Sequence, residues 1–216
     1  MPIGDHLRDV MDLYGSPACP HTNACLLVAG EKGVDLNCHA ETDWGPSGSI
    51  RGMSPLGIGP IIKDRSATNY GLIACLSYLD DKGFGPSLVH RNGVTRARMY
   101  QEVGVAAQTD VSDDASLAAA LDILDTTLGT DLGNMRGDYV CGQYTLADAA
   151  WAGVCQVATN MGKGNAVSSR SRVNTWFASV QSHPSTSKEA INPFSCMATK
   201  ADHDGNNMRE VRINTA

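Results

Sequence analysis

The stretch DLYGSPACPHTNACLLVAGEKGVDL, residues 12–36, decides how this chain is read. MDLYG (11–15) has the make-up of a short strand ending in a turn, and Pro17 and Pro20 punctuate the residues after it. HTNACLLVAGEKG (21–33) carries apolar residues at helical spacing, with Gly33 as a C-terminal stop. VDLNCHA (34–40) reads as a second strand, which completes a β-α-β unit. Cys19 falls where the helix begins, and Pro20 suits the first helical position. A thiol at that point faces unsatisfied amides and the positive end of the helix dipole, a placement that favours thiolate. His21 is adjacent and adds positive charge when protonated.

Working outward, residues 43–59 are rich in Gly, Pro and Ser and have no period, which predicts a loop with a short helix. GPIIKD (59–64) is a compact apolar strand, SATNY (66–70) a fourth strand, and LIACLSYLDDKG (72–83) a helix closed by glycine. Residues 84–93, with Pro86 and two glycines, are the linker candidate. Beyond it the pattern is helical, with helices expected over 95–108, 112–133, Thr145 to about Met161, and 168–182. In the second of these Leu117, Leu121, Leu124 and Leu128 form an apolar stripe of the kind that packs a core. Thr145-Leu146-Ala147-Asp148 reads as a capping box with Asp in the third position. Residues 191–216 are polar and read as an unpacked tail.

Composition narrows the function classes. The chain has 216 residues, 42% apolar and 19% charged, with a net charge of −6. That is ordinary for globular protein, and the scattered Lys and Arg leave no nucleic-acid footprint. No apolar run reaches the roughly 18 residues of a membrane span. The first ten residues lack an apolar signal core, so the expected location is cytoplasmic or another reducing soluble compartment. Seven cysteines at irregular spacings, with no C-x-x-C pair, support neither a zinc site, a dithiol motif nor a secreted disulfide framework.

Three segments together resemble the glutathione transferase superfamily: residues 12–36, SPLGIGPIIKD (54–64) and GDYVCGQYTLADAAWAG (137–153). They are similar to the family's first strand, active-site turn and first helix, to its N-P-x-G-x-V-P-x-L segment, and to its G-x-x-[ST]-[LI]-A-D segment. The resemblance covers about residues 11–190. It implies an α/β thioredoxin-like domain over 1–83, a linker over 84–93, an all-helical domain over 94–190 and a tail over 191–216. It implies a cis Pro60 preceded by Gly59, whose backbone would pair with the cysteinyl part of glutathione. Cys-Pro-His-Thr resembles the cysteine-type branch, the omega-like thiol transferases and dehydroascorbate reductases, which carry C-P-F-[SA]. Cys19 is then the expected catalytic thiol, with glutathione as co-substrate and a small electrophile or disulfide as the other substrate. Ser16 and Thr22 are the neighbouring hydroxyls of the expected site. Tyr14 is expected to pack rather than act. A homodimer is implied by the family.

The pattern also departs from the family. The acidic-Ser pair that holds the γ-glutamyl end of glutathione aligns with Gly71 and Leu72, whose side chains can neither accept from an ammonium nor donate to a carboxylate. A one-residue slip brings Asn69 or Tyr70 to that place. The Arg usual after the active-site Thr is absent, with Asn23 and Ala24 there instead. Two readings result. One is a glutathione-dependent transferase or thiol reductase acting through Cys19. The other is a non-catalytic protein of the same fold, a subunit or interaction module of a larger assembly, that has lost glutathione binding. Tyr100, Gln101 and Trp151 are expected to pack or to line an electrophile pocket.

Overall fold

The computed structural model describes residues 10–41, 43–45, 47–65, 67–130 and 138–183. Strand β1 (Met11–Gly15) leads through the turn 16–19 into helix α1 (Pro20–Lys32) and then β2 (Leu36–Ala40). A 3-10 turn, Ser49–Gly52, interrupts the irregular stretch after β2. Then come β3 (Ile61–Lys63), β4 (Thr68–Tyr70) and α2 (Leu72–Lys82). The sheet order is β2-β1-β3-β4, with β1 parallel to β2 and the other pairs antiparallel. The expected β-α-β, β-β-α order is observed. Three strands are shorter than their sequence pattern suggested, β4 beginning only at Thr68. Gly33 takes a left-handed φ of 61° and the Val34 amide bonds back to Ala29, so 34–35 belong to the helix end and β2 starts at Leu36. Pro60 has no amide to give a ladder, and β3 starts after it.

The second half contains α3 (Gly93–Gln108), α4 (Asp114–Gly129), α5 (Leu146–Ala158), α6 (Gly164–Ser168) and α7 (Ser171–Gln181). Asn92 caps α3 by accepting from the Val94 and Thr95 amides, and Asp113 caps α4 by accepting from Ser116. Leu117, Leu121 and Leu124 are buried as the stripe predicts, and Leu128 is packed against the same core. The expected end of α4 at residues 131–133 and the tail 191–216 lie outside the described residues. The helix expected to run to Met161 ends at Ala158. A wide π turn over Thr159–Lys163, in which Gly162 adopts φ 81°, breaks the run before α6. The helix expected over 168–182 is split between the end of α6 and α7.

Helix α1 is buried along most of its length, packed against α2 and α5. It approaches α5 closely at Gly153, where a Cβ would overlap the carbonyl oxygen of Pro20. Gly153→Ala is expected to lower unfolding stability by about 1–3 kcal/mol through this overpacking, which denaturant titration would measure. Among the described residues no helix is long and apolar enough to cross a membrane.

Candidate functional site

Cys19 is the N-cap of α1, with extended backbone (φ −95°, ψ 121°), and its side chain makes no capping hydrogen bond. The thiol is half-buried. Its own amide donates to the Ser16 carbonyl at 2.9 Å, closing the turn. The other hydroxyls of the expected site build that turn. Thr22 is fully buried, and its hydroxyl accepts from the Ser16 amide at 3.2 Å. The Ser16 hydroxyl accepts from the Ala18 amide at 3.3 Å. A Cβ on Gly15 would overlap the Thr22 side chain, so glycine is what allows the strand to end against the helix there.

Asn23, where the family usually has Arg, is buried and clamps the turn. Its Nδ2 donates to the carbonyls of Pro17 at 2.9 Å and Cys19 at 2.8 Å. A buried amide side chain in the first turn of a helix is the kind of residue that forms such a clamp. Tyr14 lies stacked on His39, 4.5 Å between ring centres. Burial, then the charges of Asp12 and Glu41, push its phenol above the ordinary value, so it stays protonated at neutral pH.

The register opposes Tyr14 to Ile61, so the end of β1 and the turn carrying Cys19 emerge beside Pro60. The Gly59–Pro60 bond is cis, as the resemblance implies. Next to this junction opens a cleft of about 600 Å³. It is lined by Trp44, Gly57, Ile58 and Gly59 of the loop before β3, by Tyr70 at the end of β4, by Gly71, Leu72, Ile73 and Ala74 at the start of α2, and by His21 with Ala107. Of Cys19, Ser16, Thr22, Gly59, Pro60 and Asn69, the structure brings Gly59 alone into this wall, together with His21 and Tyr70, which the sequence placed beside them. Cys19 sits two residues along the chain from His21. Pro60 is buried behind Gly59. Asn69 lies on β4 with its Nδ2 buried and unpartnered, while its neighbour Tyr70 reaches the cleft. Trp151 is fully buried and donates to Glu102 at 3.1 Å, so it belongs to the core. Tyr100 packs against that core and Gln101 is exposed.

Two features of the cleft were not legible from sequence. The indole of Trp44 lies on Gly59, where a Cβ would overlap the ring, and its Nε1–H is pinned to the Glu41 carbonyl at 2.8 Å. His21 spans the two halves of the fold, its Nε2 hydrogen-bonded to the Ala107 carbonyl at 3.1 Å. A carbonyl can only accept, so Nε2 carries the proton. Burial lowers the His21 pKa against the opposing effect of that carbonyl, which keeps the ring neutral at pH 7 and leaves Nδ1 as an acceptor. The positive charge expected beside Cys19 is therefore withdrawn.

Among the described residues that line the cleft, none is Asp, Glu, Lys or Arg. Glutathione at neutral pH carries two carboxylates and an ammonium. The residues present do not fit it. Gly71 and Leu72 open α2 at the cleft wall, where charged or hydroxyl partners would be needed, and the Gly71 amide is already bonded to the Pro60 carbonyl at 2.9 Å.

No family model matches this sequence, and no curated protein matches it. Solved structures do match by shape. A delta-class glutathione transferase of Nilaparvata lugens superposes with a TM-score of 0.68 at 22% identity, covering 86% of this chain and 97% of its own. FzlA from C. crescentus gives 0.67 at 18% identity, covering 82% and 90%. Maleyl pyruvate isomerase, a bacterial zeta-class glutathione transferase, gives 0.68 at 14% identity, covering 81% and 94%. The chain has the glutathione transferase fold, a thioredoxin-like first half and a helical second half.

Proposed function

We propose that this chain is a glutathione transferase-fold binding protein whose cleft no longer holds glutathione. The observation that carries this reading is the uncharged cleft wall, with Gly71 and Leu72 at the opening of α2. Each lost charge-assisted hydrogen bond costs about 1.5–3 kcal/mol. Two such losses weaken the tripeptide by about a hundredfold or more. Calorimetric titration of the protein with glutathione is expected to show no binding up to several millimolar. A submillimolar dissociation constant would sink the proposal. The role left is that of an interaction module, a homodimer or a subunit of a larger complex. The irregular cysteine spacings, with no C-x-x-C pair and no secreted disulfide framework, favour a reducing compartment.

A second reading, favoured by the half-buried thiol at the N-cap of α1, is thiol–disulfide exchange at Cys19. It accords with the omega-like, cysteine-type turn of the sequence. Its mark is thiol transfer that Cys19→Ser abolishes while leaving the fold unchanged by circular dichroism.

A further inference from the structure

We infer that the cleft beside the cis-proline junction is a binding site for an uncharged, largely apolar aromatic molecule, held between the Trp44 indole and the Ile58, Tyr70 and Ile73 side chains. The inference rests on the reading that the charged ends of glutathione find no partner there. The cavity of about 600 Å³ lies within the roughly 300–1,000 Å³ span of small-molecule sites. Its wall is apolar, and no described lining residue offers a formal charge against which a charged ligand could be desolvated. Trp44 presents a ring fixed at both ends, by Glu41 through its Nε1–H and by Gly59 beneath it, so a flat ligand can stack without ordering that side chain. Ile58 and Ile73 are each 45% exposed and Tyr70 is 39% exposed, an apolar rim that water covers unless a ligand does.

The polar content of the site is small and specific. His21 is neutral with its Nε2 proton committed to Ala107, so the ring lining the cleft has Nδ1 as its acceptor. Among the described lining residues the other polar side-chain groups are the Tyr70 hydroxyl and the Trp44 Nε1–H, the latter already donating to Glu41. The ligand class is therefore a neutral fused-ring or biaryl compound with one or two hydrogen-bond donors. The half-buried Cys19 thiol lies at the next turn of chain, outside the wall, so binding needs no covalent step.

The test uses the full chain and N-phenyl-1-naphthylamine, a neutral aromatic amine whose fluorescence rises on transfer from water to an apolar site. Saturable binding in the low micromolar range is expected, undiminished by several millimolar glutathione. Ile58→Asp and Ile73→Lys alter exposed positions, so both are expected to fold as the wild type by circular dichroism. Each is expected to weaken the probe about tenfold or more by setting a charge against its ring. Four outcomes would overturn the inference. Absence of saturable binding, with glutathione also unbound, defeats it and leaves the proposed function standing. Equal binding by the two variants places the probe elsewhere. Displacement of the probe by submillimolar glutathione defeats both readings. A wild-type dimer that Ile73→Lys splits, with no probe bound, assigns the face to a second copy of the chain.

Discussion

Lys32→Met is expected to lower the unfolding free energy by about 3–5 kcal/mol, because it leaves a buried carboxylate without its counter-charge. For a chain of this length that corresponds to a midpoint about 6–20 °C lower in a thermal scan. Lys32 and Asp80 pair at 3.0 Å with side chains 2% and 1% exposed, so water cannot substitute for either. Lys32 sits in the last turn of α1 and also donates to the Pro86 carbonyl at 2.9 Å. Asp80, near the end of α2, accepts from the Leu88 amide at 2.8 Å and the Ser87 hydroxyl at 2.6 Å. The pair thus ties both helices of the first half to the segment that leads into α3. Adding Asp80→Leu to Lys32→Met is expected to recover part of the loss, since no buried charge then remains alone. Burial by itself would raise the Asp80 carboxyl. The Leu88 amide, the Ser87 hydroxyl and Lys32 outweigh it and hold it below the ordinary value of 3.8. The contribution of this group is therefore fully present above that value and is lost as the pH falls through its lowered one.

Asp148→Ala is expected to be nearly as damaging. Asp148 is fully buried, and its carboxylate accepts from four donors. These are the Val140 amide, the Trp176 indole and the Thr145 amide at 2.9 Å, and the Thr145 hydroxyl at 3.0 Å. The capping box at the start of α5 is closed on both sides, with the hydroxyl also donating to the carboxylate. Alanine leaves three N–H groups buried without an acceptor, at about 1–3 kcal/mol each. A loss of about 3 kcal/mol or more is therefore expected in denaturant titration. Burial pushes the Asp148 carboxyl up from 3.8 to about 6, against the pull of those donors. Between these values the native state keeps a proton that the unfolded chain has released, so this group's contribution falls as pH rises through the window and is level above it. The gap between wild type and Asp148→Ala is expected to narrow from about pH 4 to pH 6 and then stay constant. A gap independent of pH would refute the assignment.

Both predictions show where local pattern and long-range packing part. The capping box was legible because its partners, Thr145 and Asp148, are three residues apart. Its other two donors, Val140 and Trp176, were not, since nothing in the chain between 148 and 176 announces that α7 returns to that helix end. The Lys32–Asp80 pair went unread for the same reason: a lysine in a last helical turn is ordinarily a solvated charge that complements the helix dipole. At the candidate site, Cys19 at the helix mouth and the loss of charge at Gly71–Leu72 were plain from residue type and position. The inward use of Thr22 and the clamp by Asn23 emerged only when the turn was closed in three dimensions.

By itself the sequence determined the β-α-β, β-β-α order of the first half, the capping box that opens α5, the cysteine at the start of α1 and the absence of the charged pair at the opening of α2. Those are decided over three or four residues, by backbone preference and by the spacing of apolar side chains. Tertiary structure alone decided what the cleft is. Trp44 reaches Gly59 across 15 positions and His21 reaches Ala107 across 86, and these two contacts convert a stretch of loop, a helix start and a distant helix end into one uncharged wall. Such contacts form because the enclosing core brings the segments together, and no local propensity encodes the meeting.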